Sequence, residues 1–175
     1  ATFVDYICRV LPNGGNTKGF GGNGIETFIY VLEGELTVTI GEDTHQLISG
    51  GYAYCPPTET LKFENKSTEK TETFLYKKRY QEAEGYAPYA VFGNSNDVLN
   101  QDYEGMTDVG LKDLLPTDLN FDMNFHILTF ETGASHGYIE THYQEHGALL
   151  LSGEGMYNLD NHWMPVKEGD YIFMG

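Results

Sequence analysis

The chain predicts an all-β fold in which one barrel unit is built twice, and three observations lead there. Short runs rich in Val, Ile, Tyr, Phe and Thr are broken at close intervals by Gly, Asn and Asp, the habit of sandwiches and barrels. No stretch carries the apolar period of a long amphipathic helix. A single ungapped shift of 119 positions lays Tyr30-Val-Leu-Glu-Gly34-Glu-Leu36 on Leu149-Leu-Leu-Ser-Gly153-Glu-Gly155, and Ser49-Gly-Gly-Tyr52 on Glu168-Gly-Asp-Tyr171. Self-similarity at a fixed offset marks two copies of one unit.

Taken in order, the first copy predicts strands over Thr2 to Leu11, Thr27 to Leu32, Glu35 to Ile40, Thr44 to Ile48, Gly51 to Cys55, Leu61 to Asn65 and Thr73 to Tyr80. The turn Gly41-Glu-Asp43 joins two of them as a hairpin, and Pro56-Pro57 ends the strand through Cys55. Between Gln81 and Asn120 the composition turns to Gly, Asn, Asp and Pro, as expected of a connector, with one short helix around Gly110 to Leu115. Strand pattern resumes over Met123 to Phe130, and Gly133-Ala-Ser-His-Gly137 turns the chain. Then come the apolar run Gly147 to Gly153, strands over Met156 to Leu159, Trp163 to Val166 and Asp170 to Met174, and a hairpin tip at Asp160-Asn161. The expected division is a first barrel over 1–87, a connector over 88–120 and a second barrel over 121–175. The first copy continues past Gly51 to about Gly85, whereas the second reaches Gly175 soon after the matching glycine. The second barrel is therefore expected to be incomplete, and the chain a fragment of a longer protein.

Acidic residues outnumber basic ones 26 to 10, for a formal net charge of −16. From Pro88 onward the imbalance is 14 to 2, against 12 to 8 before it, so most of the charge falls on the second copy. This balance disfavours nucleic acid and anionic membranes as partners. No run approaches the ~18 apolar residues of a membrane span, and no signal-peptide pattern opens the chain. A soluble, cytoplasmic protein is the expectation. Cys8 and Cys55 are too few and too far apart for a disulfide framework or a zinc cluster, and their apolar contexts predict buried thiols.

The chemistry concentrates in Gly137-Tyr-Ile-Glu140-Thr-His142-Tyr-Gln-Glu-His146-Gly147. Side chains alternate along a strand, so Glu140, His142 and His146 share one parity. Six residues of straight strand at ~3.3 Å each would hold the outer two about 20 Å apart, far beyond the ~2.0–2.2 Å bonds of N and O ligands to a metal such as zinc. The chain must bend between His142 and His146. Of the remaining histidines, His45 and His162 lie near hairpin tips and are expected in solvent, His126 on an apolar strand is expected as a satisfied core histidine, and His136 falls in the turn near the motif.

The pattern Gly133-x6-Glu140-x-His142-x3-His146-x6-Gly153 resembles the first cupin motif, with Glu140 where the first histidine normally stands and His146 where the glutamate does. That permutation is similar to the (S)-ureidoglycine aminohydrolase family of bicupins, as are Gly19-Phe-Gly-Gly-Asn-Gly-Ile-Glu-Thr-Phe28, Gly51-Tyr-Ala-Tyr-Cys-Pro-Pro57, Glu84-Gly-Tyr-Ala-Pro88, Tyr103-Glu-Gly-Met106 and Asn158-Leu-Asp-Asn161. The resemblance implies tandem double-stranded β-helix (jelly-roll) barrels and a Mn²⁺-dependent enzyme of allantoin degradation that releases ammonia from (S)-ureidoglycine. It implies metal binding by Glu140, His142 and His146 together with a later Gln, and a functional lysine, both falling past Gly175. A substrate-contacting tyrosine of the family falls on Tyr157, where a barrel-lining aromatic held by packing is the alternative. In the first copy Thr27 stands where His146 stands in the second, and no histidine lies just upstream, so barrel one is expected to lack a metal site.

By donor type alone, two imidazoles and a carboxylate suit Mn, Fe, Ni or Zn. A non-catalytic metal-binding bicupin and an Fe²⁺ cupin dioxygenase are the alternative functions. Bicupins with exposed edge strands commonly pair, so a homo-oligomer acting on a small molecule is expected. No catalytic proton carrier is identified.

Overall fold

Consecutive residues of the strand Ile25–Glu33 are buried on opposite faces of its sheet, and this double burial organises most of the chain. The structure is a computed structural model that describes residues 2–140 and 142–175. Contacts divide the chain into two units, Phe3–Tyr138 and Ile139–Gly175, the second joined by Thr2.

In the first unit the strands are β1 (Phe3–Val10), β2 (Gly15–Gly21), β3 (Ile25–Glu33), β4 (Glu35–Ile40), β5 (Asp43–Ile48), β6 (Gly51–Cys55), β7 (Thr60–Glu64), β8 (Thr71–Arg79), β9 (Val91–Asn94), β10 (Gln101–Tyr103), β11 (Met106–Asp113) and β12 (His126–Phe130). A five-stranded sheet in the order β1-β8-β3-β6-β9 faces a four-stranded sheet in the order β2-β7-β4-β5. Between them lies an aliphatic core. Ile29, Val31, Ala53 and Leu75 come from the first sheet, and Leu36, Val38, Ile40, Leu47, Leu61 and Phe63 from the second. β4 shows the clean alternation of a half-buried strand, its Leu, Val and Ile inward and its Thr residues outward. A two-residue loop returns it to β5, with Gly41 at φ 59°. Gly34, between β3 and β4, sits at φ 87°, and a Cβ there would lie 3.0 Å from the carbonyl oxygen of Lys70, so glycine is required twice over.

The opposite face of the five-stranded sheet is aromatic. Phe3, Phe28, Tyr52, Tyr54 and Tyr76 project from it and are covered by Leu114, Leu115 and Phe121, with Met123, Phe125 and Ile127 packed alongside. Phe125 stacks on Phe28 at 3.8 Å between centroids and meets Tyr76 edge-on at 5.0 Å. The expected connector is thus largely structural: Val91–Asn94 pairs with β6 and completes the sheet, and residues 114–127 form its lid. Hence the contact boundary falls after Tyr138, later than the expected limits at 87/88 and 120/121. The short helix expected around Gly110 to Leu115 is corrected: Met106–Asp113 is a strand between β10 and β12, with Gly110 opposite both Asp102 and Thr129. Its apolar residues are consumed by strand pairing and by the lid, not by a helical face. His126 is also corrected. It stands exposed at the head of β12 opposite Asp113, because the next residue, Ile127, takes the inward parity.

The second unit holds β13 (His146–Leu149), β14 (Glu154–Leu159), β15 (His162–Lys167) and β16 (Tyr171–Met174), paired as β13-β16 and β14-β15. The repeat is visible in its backbone. Moved by the same shift, β4 lands on β14 and β5 on β15, end to end. The β3-β6 pair Thr27↔Cys55 lands on the β13-β16 pair His146↔Met174. The β14-β15 turn carries Asp160 and Asn161 at φ 55° and 62°, the left-handed pair of a type I′ hairpin. Two-stranded ribbons bury little, and Met156, Trp163 and Phe173 stay exposed.

Phe28, fully buried beneath Phe125, is the sharpest test of the double-faced sheet. Phe28→Ala is expected to cost about 3–5 kcal/mol. Phe130→Ala, at a residue 45% exposed, should cost well under half of that. Urea unfolding followed by circular dichroism measures both.

Candidate metal centre

The three candidate ligands lie in the second unit, at and just before the start of β13. His146 opens the strand, while Glu140 and His142 precede it outside any regular element, with bends at Tyr143 and Gln144. The bend demanded by distance is therefore present. Strand parity is not what sets Glu140 and His142, since neither is in a strand; Thr141 lies outside the described residues. His142 Nε2 stands 4.0 Å from Glu140 Oε2, and the rings of His142 and His146 lie 4.4 Å apart, tilted by 35°. The three side chains thus run in sequence, each beside the next.

Two ligands on bonds of ~2.1 Å at near-right angles stand roughly 3 Å apart. The Glu140–His142 separation is about an ångström longer than that. Accordingly, no three His, Cys, Asp or Glu side chains among the described residues close to metal-ligating geometry. The donor set itself, two imidazoles and a carboxylate on an exposed loop and strand end, fits a divalent cation. Glu145, inside the motif, is turned elsewhere: its carboxylate accepts from the backbone N–H and the hydroxyl of Thr2, which holds its pKa below the ordinary glutamate range.

Tyr157 joins this group. It sits on β14 at the position equivalent to Val38, which points into the first unit's core. Its hydroxyl donates to Met174 Sδ at 3.4 Å, and Met174 is the register partner of His146 on β16. Burial, and then the nearby charge of Glu140, push the Tyr157 phenol above the ordinary tyrosine range. Tyr157 is therefore a neutral hydrogen-bond donor at physiological pH, and its present acceptor is a weak one. Met174 was not singled out by sequence; only the β13-β16 register, inferable from Thr27↔Cys55 through the repeat, could have found it.

The other histidines fall outside this group. His136 is in the first unit, its Nδ1 2.8 Å from the Tyr138 carbonyl oxygen and its ring against Tyr138 and Tyr103. His162 lies exposed at the hairpin tip, and His45 stacks on Phe92 at 4.0 Å. At the site's counterpart in the first unit, Thr27 is buried among aliphatics beside Cys55, whose thiol is pushed up to about 12 by burial and then by the charge of Glu59. Glu26, next to Thr27, points to the opposite face of the sheet. Cys8 and Cys55 are both free thiols, one half-buried and one buried.

Residues 11–75 match the family model described as a cupin domain. Across its whole length the chain is 58% identical to the (S)-ureidoglycine aminohydrolase of Escherichia coli K12, covering 67% of that protein. It is 34% identical to the probable (S)-ureidoglycine aminohydrolase of Oryza sativa, covering 99% of this chain and 55% of the relative. The crystal structure of the E. coli protein Ylba superposes over 100% of this chain and 69% of its own, with a TM-score of 0.90 at 55% identity.

The Tyr157 phenol gives the group a spectroscopic handle. In chelator-treated protein, Glu140→Gln should lower its titration midpoint without restoring the ordinary tyrosine range, because burial is the larger cause. NMR of isotope-labelled tyrosine reads it. A midpoint unmoved by Glu140→Gln would separate Tyr157 from the ligand group.

Proposed function

The chain belongs to the (S)-ureidoglycine aminohydrolase family, and we propose that its protein hydrolyses (S)-ureidoglycine to (S)-ureidoglycolate and ammonia in the breakdown of allantoin. The identity of 58% to the E. coli enzyme along the whole chain carries this reading. In the reaction one water is consumed and the carbon–nitrogen bond to the α-amine breaks. A hydroxyl takes the place of the amine, and the nitrogen leaves as ammonia.

Glu140, His142 and His146 would hold the divalent cation, for which the family resemblance favours Mn²⁺. When bound, such an ion supplies Lewis acidity and a template for a substrate carboxylate and amine. Glu140 contributes the only carboxylate of the set, so it would balance part of the cation's charge, and after burial it is the second cause that holds the Tyr157 phenol up. The Tyr157 hydroxyl, held neutral and resting on a thioether, is ready to exchange Met174 for a substrate oxygen, a stronger acceptor. Its protonation suits it to orient substrate rather than to act as a base at neutral pH. We assign the proton transfer to none of the residues described.

Among the described residues no helix is long and apolar enough to cross a membrane. Two free thiols accord with the reducing cytoplasm proposed for the enzyme.

Replacing Glu140 or His146 with Ala in the full-length protein is expected to abolish retained metal, measured by elemental analysis, together with ammonia release from (S)-ureidoglycine. Circular dichroism should remain unchanged. Ammonia release that survives chelation and both substitutions would remove the metal's role. Oxygen consumption in place of ammonia release would move the enzyme to dioxygenase chemistry.

A further inference from the structure

On the aromatic face of the five-stranded sheet, four charged or titratable side chains converge beneath the lid. Glu26 on β3 has no solvent exposure. Tyr54 on β6 donates its hydroxyl to Glu26 Oε2 at 2.6 Å. Lys78 on β8, the register partner of Glu26, places Nζ 2.8 Å from Asp122 Oδ2 and 2.8 Å from the Asp122 carbonyl oxygen. Asp122, from the lid, also accepts the Gln81 backbone N–H through Oδ2 at 2.7 Å. Tyr80, which follows β8, donates to the Asn120 carbonyl oxygen, and Glu82 lies beyond it. Lys77 faces away, over Tyr6 and Phe20.

These bonds use one oxygen of each carboxyl group. Glu26 Oε1 and Asp122 Oδ1 are left buried with no donor. The two carboxyl groups nevertheless lie within hydrogen-bonding reach of each other. Two buried carboxylates side by side, with one lysine between them, would leave an uncompensated negative charge and two bare oxygens, a costly arrangement. One proton on Glu26 satisfies both oxygens and leaves a single negative charge, on Asp122, facing Lys78.

We propose that Glu26 and Asp122 share one proton across a carboxyl–carboxylate hydrogen bond, a latch that fastens the lid segment around Asp122 to the sheet and opens when that proton is lost. Phe121 and Phe125, before and after Asp122 in the chain, pack in the aromatic cluster, so ionisation of Glu26 would push like charges together within the seam that the latch closes. Burial, chiefly, and then the bond to Asp122 raise the Glu26 carboxyl to about 9, while for Asp122 burial, which would raise it, is outweighed by its bonds to Glu26, Lys78 and Gln81, which together hold it below the ordinary aspartate range. For Glu26, raised in the folded state, the stabilisation is whole below the unfolded pKa near 4.5 and is lost as pH rises through about 9. For Asp122, lowered in the folded state, it is present above the unfolded pKa near 3.8 and lost as pH falls through the folded value. The latch therefore carries one proton from acid pH up to about 9.

Two measurements on the whole chain decide this. In protein labelled at the glutamate side-chain carboxyls, NMR should show one carboxyl still protonated at neutral pH and ionising near pH 9, a resonance absent from Glu26→Gln. Hydrogen exchange should show the amides around Asp122 losing protection across the same titration. In Glu26→Gln they should stay protected, because the amide still accepts from Tyr54 and donates to Asp122 at every pH. If that variant does not fold, Asp122→Asn serves instead and should bring the Glu26 ionisation down toward the ordinary range. Every glutamate ionised by neutral pH in the unsubstituted protein, or lid amides indifferent to the titration, would overturn the latch.

Discussion

A sheet covered on both faces must find an apolar partner for each, and the central strand β3 carries that demand for the whole first unit. Its odd-numbered residues, Ile29 and Val31, enter the aliphatic interior, which the four-stranded sheet closes. Its even-numbered residues, Glu26 and Phe28, would face water without the lid. Burial of a large apolar side chain contributes about 1.5–3 kcal/mol, so the aromatic row of Phe28, Tyr54 and Tyr76 makes the exposed alternative expensive. Hence residues 114–127 act as an integral layer, and the first compact unit runs on to Tyr138.

What the sequence made legible follows the same physics. Where one face is apolar and the other polar, the period of two is clean, and Glu35–Ile40 appears with its expected limits; Gly51–Cys55, buried on both faces, does so as a short apolar run closed by Pro56-Pro57. Where glycine and asparagine replace that alternation, as in Gly15–Gly21, the strand is carried by pairing with β7 and leaves no periodic trace. The lid was illegible for another reason. Leu114, Leu115, Phe121 and Phe125 are spaced irregularly, because they fit into an aromatic surface supplied by distant strands. At the candidate metal centre the residue types and the need for a bend were legible in Glu140, His142 and His146. Their placement before β13, and the link from Tyr157 through Met174 to His146, depend on register and loop path.

The two copies show how one set of backbone hydrogen bonds supports different interiors. Thr27↔Cys55 and His146↔Met174 occupy the same rung, and Val38 and Tyr157 the same place on the following strand. In the first copy these positions hold small or aliphatic groups that complete a close-packed core. In the second they hold an imidazole, a thioether and a phenol. Substituting side chains at inward positions changes the chemistry without disturbing the ladder, because ladder bonds are made by the main chain alone.

Glu26 and Glu140 carry this contrast to single residues of one type. Glu26 sits within a central strand under an aromatic lid, so its carboxyl must be matched atom by atom: Tyr54 on one oxygen, and Asp122 on the other through a proton. Glu140 lies outside any strand and is exposed, with His142 Nε2 at 4.0 Å, so its charge does not depend on a fixed set of buried partners. A buried carboxyl with fixed partners is committed to holding structure together, whereas an exposed carboxylate beside two imidazoles has the donor chemistry of a candidate cation ligand. That difference in surroundings suits the loop before β13 to the ligand role proposed for it and commits the aromatic seam of the first unit to structural work.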